Sequence, residues 1–140
     1  MRLIQGDCLE EMSNFSSNSI DLVVTSPPYD NLRTYGGVID SWSFEKFQLI
    51  AKELFRITKM GGVVVWVVGD ATIKGSETGT SLKQALYFMD CGFNLHDTMI
   101  YEKNSSTFPA RVTSSRYSQI FEYMFVFSKG NPKHASLICD

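Results

Sequence analysis

The residues best suited to chemistry form a rigid corner, Ser26-Pro27-Pro28-Tyr29, directly after an apolar run at 20–24. A residue before proline is held in extended geometry, and proline has no N–H. The carbonyls of this corner therefore lie beside few donors, the Ser26 hydroxyl adds an acceptor, and the Tyr29 ring offers a face for stacking. These groups are suited to binding an aromatic amine. Its ring would stack on Tyr29, and its N–H groups would donate to Ser26 Oγ and a proline carbonyl.

A simpler interpretation of the corner remains open, in which the two prolines only end a strand and Tyr29 packs on the core. The position of the corner favours a binding site. It follows a short, β-branched run of the kind buried on both faces of a parallel sheet, and it opens a long loop without periodicity. Ligands of open α/β sheets bind beyond the carboxyl ends of such strands.

The elements that must position this corner alternate between strands and helices. Ser43 is a plausible N-cap for a helix that should end at the glycines of 59–62, and Ser81 with Gln84 has the spacing of a capping box. The hydrophobic pattern predicts strands at 2–5, 20–24, 63–68, 93–102 and 118–128, and helices at 8–15, after Ser43 and after Ser81.

This order predicts an α/β fold with a mainly parallel sheet, an antiparallel hairpin at one edge and helices on both faces. The loops after Thr25, Val68 and Glu102 should then meet near one edge of the sheet. Those loops contain the candidate polar residues, which makes that edge the predicted site.

Composition sets outer bounds on the function. The chain has 140 residues, 44% hydrophobic and 20% charged, which is typical of one globular domain; with no membrane-length apolar run and no secretion signal in view, a cytoplasmic protein without a membrane partner is expected. Three widely spaced cysteines predict neither a disulfide framework nor a metal site. Residues 101–140 carry five Lys and Arg against three Asp and Glu, a mild basic bias that a phosphate backbone would favour.

Several segments in order resemble a known family. RLIQGDCLEEM, TSPPY, LFRITKMGG and FEYMFVFSKG are similar to motifs of the circularly permuted, β-type amino-methyltransferases, which modify DNA at cytosine N4 or adenine N6 in DNA methylation and restriction-modification. The resemblance runs over nearly the whole chain. It implies a Rossmann-like fold, S-adenosyl-L-methionine as cofactor and double-stranded DNA with a flipped base as partner.

The resemblance also implies roles for individual residues. Ser26, Pro27, Pro28 and Tyr29 would be catalytic, and Asp7, Cys8 and Ser26 would bind the cofactor, although Asp7 in a plain turn is an equally good interpretation. Serine at the first motif position favours cytosine N4 over adenine N6. Substrate contacts are expected from six residues. Asn31, Arg33 and Tyr35 could reach the base or the phosphates, although solvated loop residues are an equally good interpretation of these three. Asp70, at a strand end, could line the pocket, and Arg111 and Arg116 could contact DNA phosphate.

One family motif, a glycine-rich turn of the F-x-G-x-G kind, does not occur in the sequence. In the β-type order it follows the catalytic half. The expectation is therefore that residues 1–130 form the catalytic half of a methyltransferase domain, and that 131–140 is a tail leading to a missing C-terminal segment. Such a chain alone should bind the cofactor poorly and be weakly active, and its open sheet edge could pair with a second copy.

Two other functions stay open. A methyltransferase for RNA bases or protein glutamine would use a related N-P-P-Y motif, but its glycine-rich turn normally comes first, and about 25 residues before the corner are too few for that unit. An inactive remnant or binding module would keep the fold without the cofactor half.

Overall fold

The computed structural model describes residues 2–29, 42–104, 117 and 119–132 of the chain. The helices are α1 (Cys8–Ser13), α2 (Phe44–Ile57) and α3 (Thr80–Asp90), and the strands are β1 (Ile20–Thr25), β2 (Thr58–Val68), β3 (Thr72–Ile73), β4 (Ser76–Glu77), β5 (Asn94–Glu102) and β6 (Phe121–Ser128). Across these ranges, no helix combines the length and apolar character needed to cross a bilayer.

The main sheet has four strands in the order β1-β2-β6-β5, and β3 pairs with β4 in a separate ribbon. Strand β2 is parallel to β1 and antiparallel to β6, and β6 is also antiparallel to β5. The α/β class and the antiparallel edge hairpin are confirmed, but the described sheet is mixed and not mainly parallel. Sequence pattern could not reveal this, because β6 inserts between β2 and β5, and no local signal identifies a strand's neighbour.

Helices pack against one face of the sheet. Over residues 62–68, every second residue of β2, including Val64 and Trp66, is buried there beneath α2 and α3. On the opposite face, Leu22 is 59% exposed and Val24 is 65% exposed. The predictions that β1 is buried on both faces and that helices cover both faces therefore do not hold for the described residues, because no described helix lies over these two side chains.

The core on the covered face contains a cluster of aromatic rings among aliphatic side chains. Trp66 of β2 meets Phe88 of α3 edge-on at a centroid distance of 5.0 Å, and Phe47 of α2 meets Phe88 at 5.3 Å. Such contacts add to the hydrophobic burial of these large side chains. Trp66 also donates its indole N–H to the buried Gln84 of α3 at 2.8 Å, which fixes α3 relative to β2.

Two helix starts are capped, one as predicted and one differently. Ser43 Oγ accepts a hydrogen bond from the Lys46 N–H at 3.1 Å, as the sequence predicted. Helix α3 begins after Gly79 without the predicted Ser81–Gln84 capping box. Gln84 is instead held by Trp66, and the backbone N–H of Ser81 donates to the Asp70 carboxylate at 2.9 Å.

The glycines expected to end α2 lie within β2. The helix ends at Ile57, and Gly61, with φ +79°, donates its N–H to the Lys129 carbonyl at 2.7 Å. A Cβ atom at Gly62 would lie 2.8 Å from Thr58 Cγ2 and 3.0 Å from the Asp21 carbonyl oxygen. Gly62 is therefore needed for the close approach of β1 to β2.

No strand forms at 2–5, where all four residues are exposed and β1 is the last strand on that side of the described sheet. Without a neighbouring strand, an extended segment has no ladder of hydrogen bonds to join. Asp7 then caps α1 by accepting the Leu9 N–H at 2.9 Å, and its carboxylate pairs with Lys46 Nζ of α2 at 2.7 Å.

Replacing Gln84 by alanine should lower the free energy of unfolding by about 1–3 kcal/mol, because the buried Trp66 N–H loses its acceptor. Urea denaturation would measure the change. Lys83→Ala, on an exposed neighbouring position of the same helix, is the matched control and should have a much smaller effect. Equal effects of the two substitutions would contradict the assigned role of Gln84.

The contribution of Asp7 should depend on pH. The hydrogen bond from Lys46, followed by that from the Leu9 N–H, lowers the pKa of Asp7 below its ordinary value of 3.8. Because the pKa of Asp7 is lower in the folded state than in the unfolded chain, its carboxylate stabilises the fold at pH values above the ordinary pKa. This stabilisation is lost as the pH falls through the folded-state pKa. Asp7→Asn should therefore destabilise the protein at pH 7 and lose that effect in strong acid.

Thermal unfolding of this variant, of Lys46→Met and of the double variant would form a cycle for the Asp7–Lys46 coupling. We expect a measurable coupling at pH 7 that disappears below the folded-state pKa of Asp7. A coupling that is the same at both pH values would show that the ion pair is not its source.

Candidate functional site

Four chain segments meet at one edge of the main sheet. The parallel strands β1 and β2 end there at Thr25 and Val68. Strand β6 begins at the same edge because Tyr123 pairs with Val68, and β5 ends there because Glu102 pairs with Phe121. The prediction that the loops after Thr25, Val68 and Glu102 leave the sheet at a common edge is confirmed.

The corner after β1 has a buried part and an exposed part. Pro27 is buried, Pro28 and Tyr29 are half-buried, and Ser26 is exposed. The Tyr29 ring packs against the margin of the core, whereas its hydroxyl lies 2.8 Å from Ser26 Oγ and donates to Glu122 Oε2 at 2.7 Å. Tyr29 thus closes the core at the sheet edge and also presents its polar end beside Ser26, so the two interpretations of the corner are compatible.

Glu122 and Lys103 are site residues that sequence reasoning missed. Glu122 lies near the start of β6 with its side chain only 13% exposed, and its Oε1 is 2.5 Å from Lys103 Nζ, just beyond the end of β5. A signal was present in the sequence, because Glu122 is the single charged residue in the aromatic and apolar run FEYMFVF. A carboxylate in such a strand requires a partner.

The end of β2 completes the surroundings of Tyr29. A Cβ atom on Gly69 would lie 3.7 Å from Tyr29 Cδ2 and 3.6 Å from Glu122 Cγ. The backbone after β2 therefore runs alongside the tyrosine ring and the glutamate stem, and it limits how far either can move.

Asp70 lies at this edge, but its carboxylate is directed to the start of α3. It accepts hydrogen bonds from the Ser81 N–H, the Ser81 hydroxyl and Thr78 Oγ1. Thr78 lines a cavity of about 270 Å³, but Asp70 is not one of the residues that line this cavity. The structure therefore gives Asp70 a local structural role, and its predicted substrate contact stays a prediction.

The residues predicted to bind the cofactor offer a partial fit to an adenosine. Asp7 uses one carboxylate oxygen for the Leu9 N–H and the other for Lys46, yet a carboxylate has about four acceptor positions, so ribose hydroxyls would still find acceptors on this exposed group. Cys8 is exposed in the first turn of α1, and partial desolvation followed by the Asp7 carboxylate raises the pKa of its thiol. The thiol is therefore a neutral contact at physiological pH.

Five predicted substrate contacts, Asn31, Arg33, Tyr35, Arg111 and Arg116, lie outside the described residues. The described residues bring together Ser26, Tyr29, Gly69, Glu122 and Lys103. This arrangement provides an exposed hydroxyl next to the partly exposed ring of a tyrosine, backed by an ion-paired carboxylate. Chemically, it is suited to orienting a planar polar molecule and to accepting hydrogen bonds from the N–H groups of that molecule.

The sequence of this chain is similar to those of known methyltransferases. The chain is 62% identical over 127 residues to the orphan methyltransferase M.BamHII of Bacillus amyloliquefaciens, an alignment that covers 91% of this chain and 45% of that protein. It is 28% identical to the type II beta methyltransferase M.BslI of Bacillus sp. (strain NEB-606), over 92% of this chain and 16% of that protein. The chain thus spans less than half the length of these two relatives.

Solved structures match as well. The PvuII DNA methyltransferase, described as cytosine-N4-specific, superposes with a TM-score of 0.75 and 27% identity over 91% of this chain and 49% of that chain. TTHA0409 of Thermus thermophilus, complexed with S-adenosyl-L-methionine, superposes with a TM-score of 0.70 and 26% identity over 95% of this chain and 57% of that chain.

A family model described as DNA methylase matches residues 20–137, which include the corner after β1 and all of β2, α3, β5 and β6. The match therefore covers most of the chain and the whole of the described sheet edge. Together with the M.BamHII alignment, it shows that this chain belongs to the N6/N4 DNA methylase family.

Proposed function

We propose that this chain is the catalytic half of an S-adenosyl-L-methionine-dependent DNA methyltransferase that acts on an exocyclic amine, with cytosine N4 as the preferred target. The observation that carries the proposal is the position of Ser26: it is exposed at the carboxyl edge of the parallel pair and hydrogen-bonded to Tyr29. Membership of the DNA methylase family supports methyl transfer as the reaction class and DNA as the substrate.

In this proposal a base leaves the duplex and lies against the exposed part of the Tyr29 ring. Stacking on tyrosine does not select one base, so it fixes the plane of the ring and leaves recognition to polar groups. Double-stranded DNA with a flipped base is therefore the proposed partner, and the rigid corner at Pro27 and Pro28 keeps the tyrosine and the serine in fixed relation.

Ser26 Oγ and the Pro27 carbonyl would accept the two hydrogens of the exocyclic amine. Such an amine is a poor nucleophile because its lone pair is delocalised into the aromatic ring. Acceptors on its hydrogens favour a pyramidal nitrogen whose lone pair is more available. The contribution of the protein is then orientation and preorganised electrostatics, without a covalent enzyme intermediate.

S-adenosyl-L-methionine, when bound, supplies an electrophilic methyl group. Asp7, Cys8 and Ser26 are the residues of this chain that would hold it, with Asp7 accepting hydroxyl protons of the ribose. TTHA0409, a structural neighbour, is complexed with S-adenosyl-L-methionine, which supports this choice of cofactor. The remaining cofactor contacts would come from a second half of the domain.

Two observations support the division into halves, with residues 1–130 as the catalytic part. The chain corresponds to 45% of M.BamHII and 49% of the PvuII enzyme. In addition, Leu22 and Val24 leave apolar surface exposed on one face of the sheet, next to the edge formed by β1. Apolar surface of this kind is typical of a surface that another segment covers.

Calorimetric titration of this chain with S-adenosyl-L-methionine should show binding weaker than micromolar, because a half-site offers few of the contacts a cofactor needs. Asp7→Asn, titrated in parallel, should bind the cofactor more weakly, so that any heat of binding seen with the unmodified chain decreases. Micromolar binding of one cofactor per chain would contradict the division into halves. Heat that is unchanged in the variant would exclude Asp7 as a cofactor ligand.

Mass spectrometry of nucleosides from DNA exposed to the complete gene product should show N4-methylcytosine. Ser26→Ala should lower the yield by about 100-fold, the usual effect of losing one preorganised hydrogen-bonding group at a reacting centre. Ser76→Ala, an exposed serine of β4, is the matched control and should leave the yield unchanged. N6-methyladenine would instead assign the chain to adenine, and the absence of both products would contradict the proposed reaction.

A further inference from the structure

A chain of four polar side chains extends from the edge of the sheet to the exposed serine. Lys103 Nζ lies 2.5 Å from Glu122 Oε1, the Tyr29 hydroxyl donates to Glu122 Oε2 at 2.7 Å, and Tyr29 Oη lies 2.8 Å from Ser26 Oγ. We call these residues the Lys103–Ser26 relay. They come from the ends of β5 and β1 and the start of β6, so the sheet register holds them in place.

Counting protons fixes the direction of the hydrogen bonds in the relay. The ion pair with Lys103 keeps Glu122 as a carboxylate, which can only accept. Tyr29 has a single hydroxyl proton, and it is donated to Glu122. In its contact with Ser26, the tyrosine oxygen can therefore only accept, and the Ser26 hydroxyl must be the donor.

This direction decides what Ser26 can offer to a ligand. A serine hydroxyl in general both donates and accepts, but here its one proton is engaged with Tyr29. Within the described part of the chain, Ser26 Oγ has no other hydrogen bond, so its lone pairs remain for a ligand. Ser26 consequently acts as an acceptor only.

We propose that Glu122 is a positioning residue that makes Ser26 an obligate acceptor and thereby selects a base with an exocyclic amine over one with a carbonyl at the same position. The inference rests on the proposed function, in which Ser26 meets the reacting amine. An amine supplies N–H donors to the serine, whereas a carbonyl oxygen would face lone pairs without a proton between them.

The surroundings of Glu122 strengthen this effect. Its side chain is 13% exposed, compared with 31% for Lys103, and its stem lies against the backbone at Gly69. Low exposure strengthens charge-assisted hydrogen bonds, and linked bonds polarise one another. A purely structural role, in which Glu122 only ties β6 to the corner after β1, would predict loss of stability without any change in the ligand preference.

The experiment compares binding of nucleosides that differ at one group. NMR titrations of the chain with deoxycytidine and deoxyuridine, and with deoxyadenosine and deoxyinosine, need neither the cofactor nor a recognition sequence. For the unmodified protein we expect that, in at least one pair, the nucleoside with the amine binds about tenfold more tightly than the nucleoside with the carbonyl. This is the effect of one hydrogen bond that the amine forms and the carbonyl cannot form.

Two variants should abolish this preference by different routes. In Glu122→Gln, the amide can donate to Tyr29, which turns the tyrosine proton towards Ser26 and the serine proton towards the ligand. In Tyr29→Phe, the ring stays for stacking but the serine loses its acceptor and is free to donate. In both variants, the affinities for the amine and the carbonyl nucleoside of a pair should become about equal. If Glu122→Gln does not fold, Tyr29→Phe still tests the inference.

Glu53→Gln is the matched control, because Glu53 is also a partly buried, ion-paired carboxylate, bonded to Arg56 at 2.7 Å within α2. It should lower stability and retain the tenfold preference. A preference that survives in folded Glu122→Gln and Tyr29→Phe would overturn the inference, as would equal or absent binding of all nucleosides by the unmodified chain.

The outcome is separable from that of the proposed function. An amine preference that depends on Glu122, in a protein whose complete gene product methylates no DNA, would support the relay and contradict the reaction. Methylation that depends on Ser26, together with an amine preference insensitive to Glu122, would support the reaction and overturn the relay.

Discussion

The hydrogen bond from Tyr29 to Glu122 is the contact on which the site depends. It joins two residues that are 93 positions apart in the chain, at the end of β1 and the start of β6. Holding such distant segments together costs conformational entropy that one hydrogen bond cannot offset. The sheet supplies the rest, because the pairing of β6 with β2, and of β2 with β1, brings the two side chains together.

That alignment comes from the aromatic core on the covered face of the sheet. Rings from α2, α3, β2 and β6 contact one another there, and the Trp66–Gln84 hydrogen bond prevents α3 from sliding along β2. A shift of β6 by one residue would place Glu122 on the opposite face, since side chains alternate along a strand. The core thus fixes the register, and the register brings the carboxylate to the tyrosine.

Sequence reasoning succeeded where the controlling interactions are local. The Ser43 cap and the strand before the corner follow from short-range patterns, and the common edge of three loops follows from the order in which strands and helices alternate. It failed where the partner is distant in the chain. Asp70 displaced the predicted capping box at Ser81, and residues 2–5 formed no strand for lack of a neighbour in the described sheet. Glu122 was visible as an isolated charge, but its partners, Tyr29 and Lys103, could not be known without the fold.

The identity of the first motif residue explains why a relay is useful in this protein. An aspartate or asparagine at that position would present an oxygen acceptor through its own chemistry, because a carboxylate has no proton and an amide oxygen carries none. A serine has no such fixed polarity, and its hydroxyl would turn to suit whichever ligand arrives. Binding the serine proton to Tyr29, and the tyrosine proton to an ion-paired glutamate, removes that freedom at the cost of one partly buried carboxylate. On this view the unusual charge in β6 and the serine of the corner are parts of one device, and each requires the other.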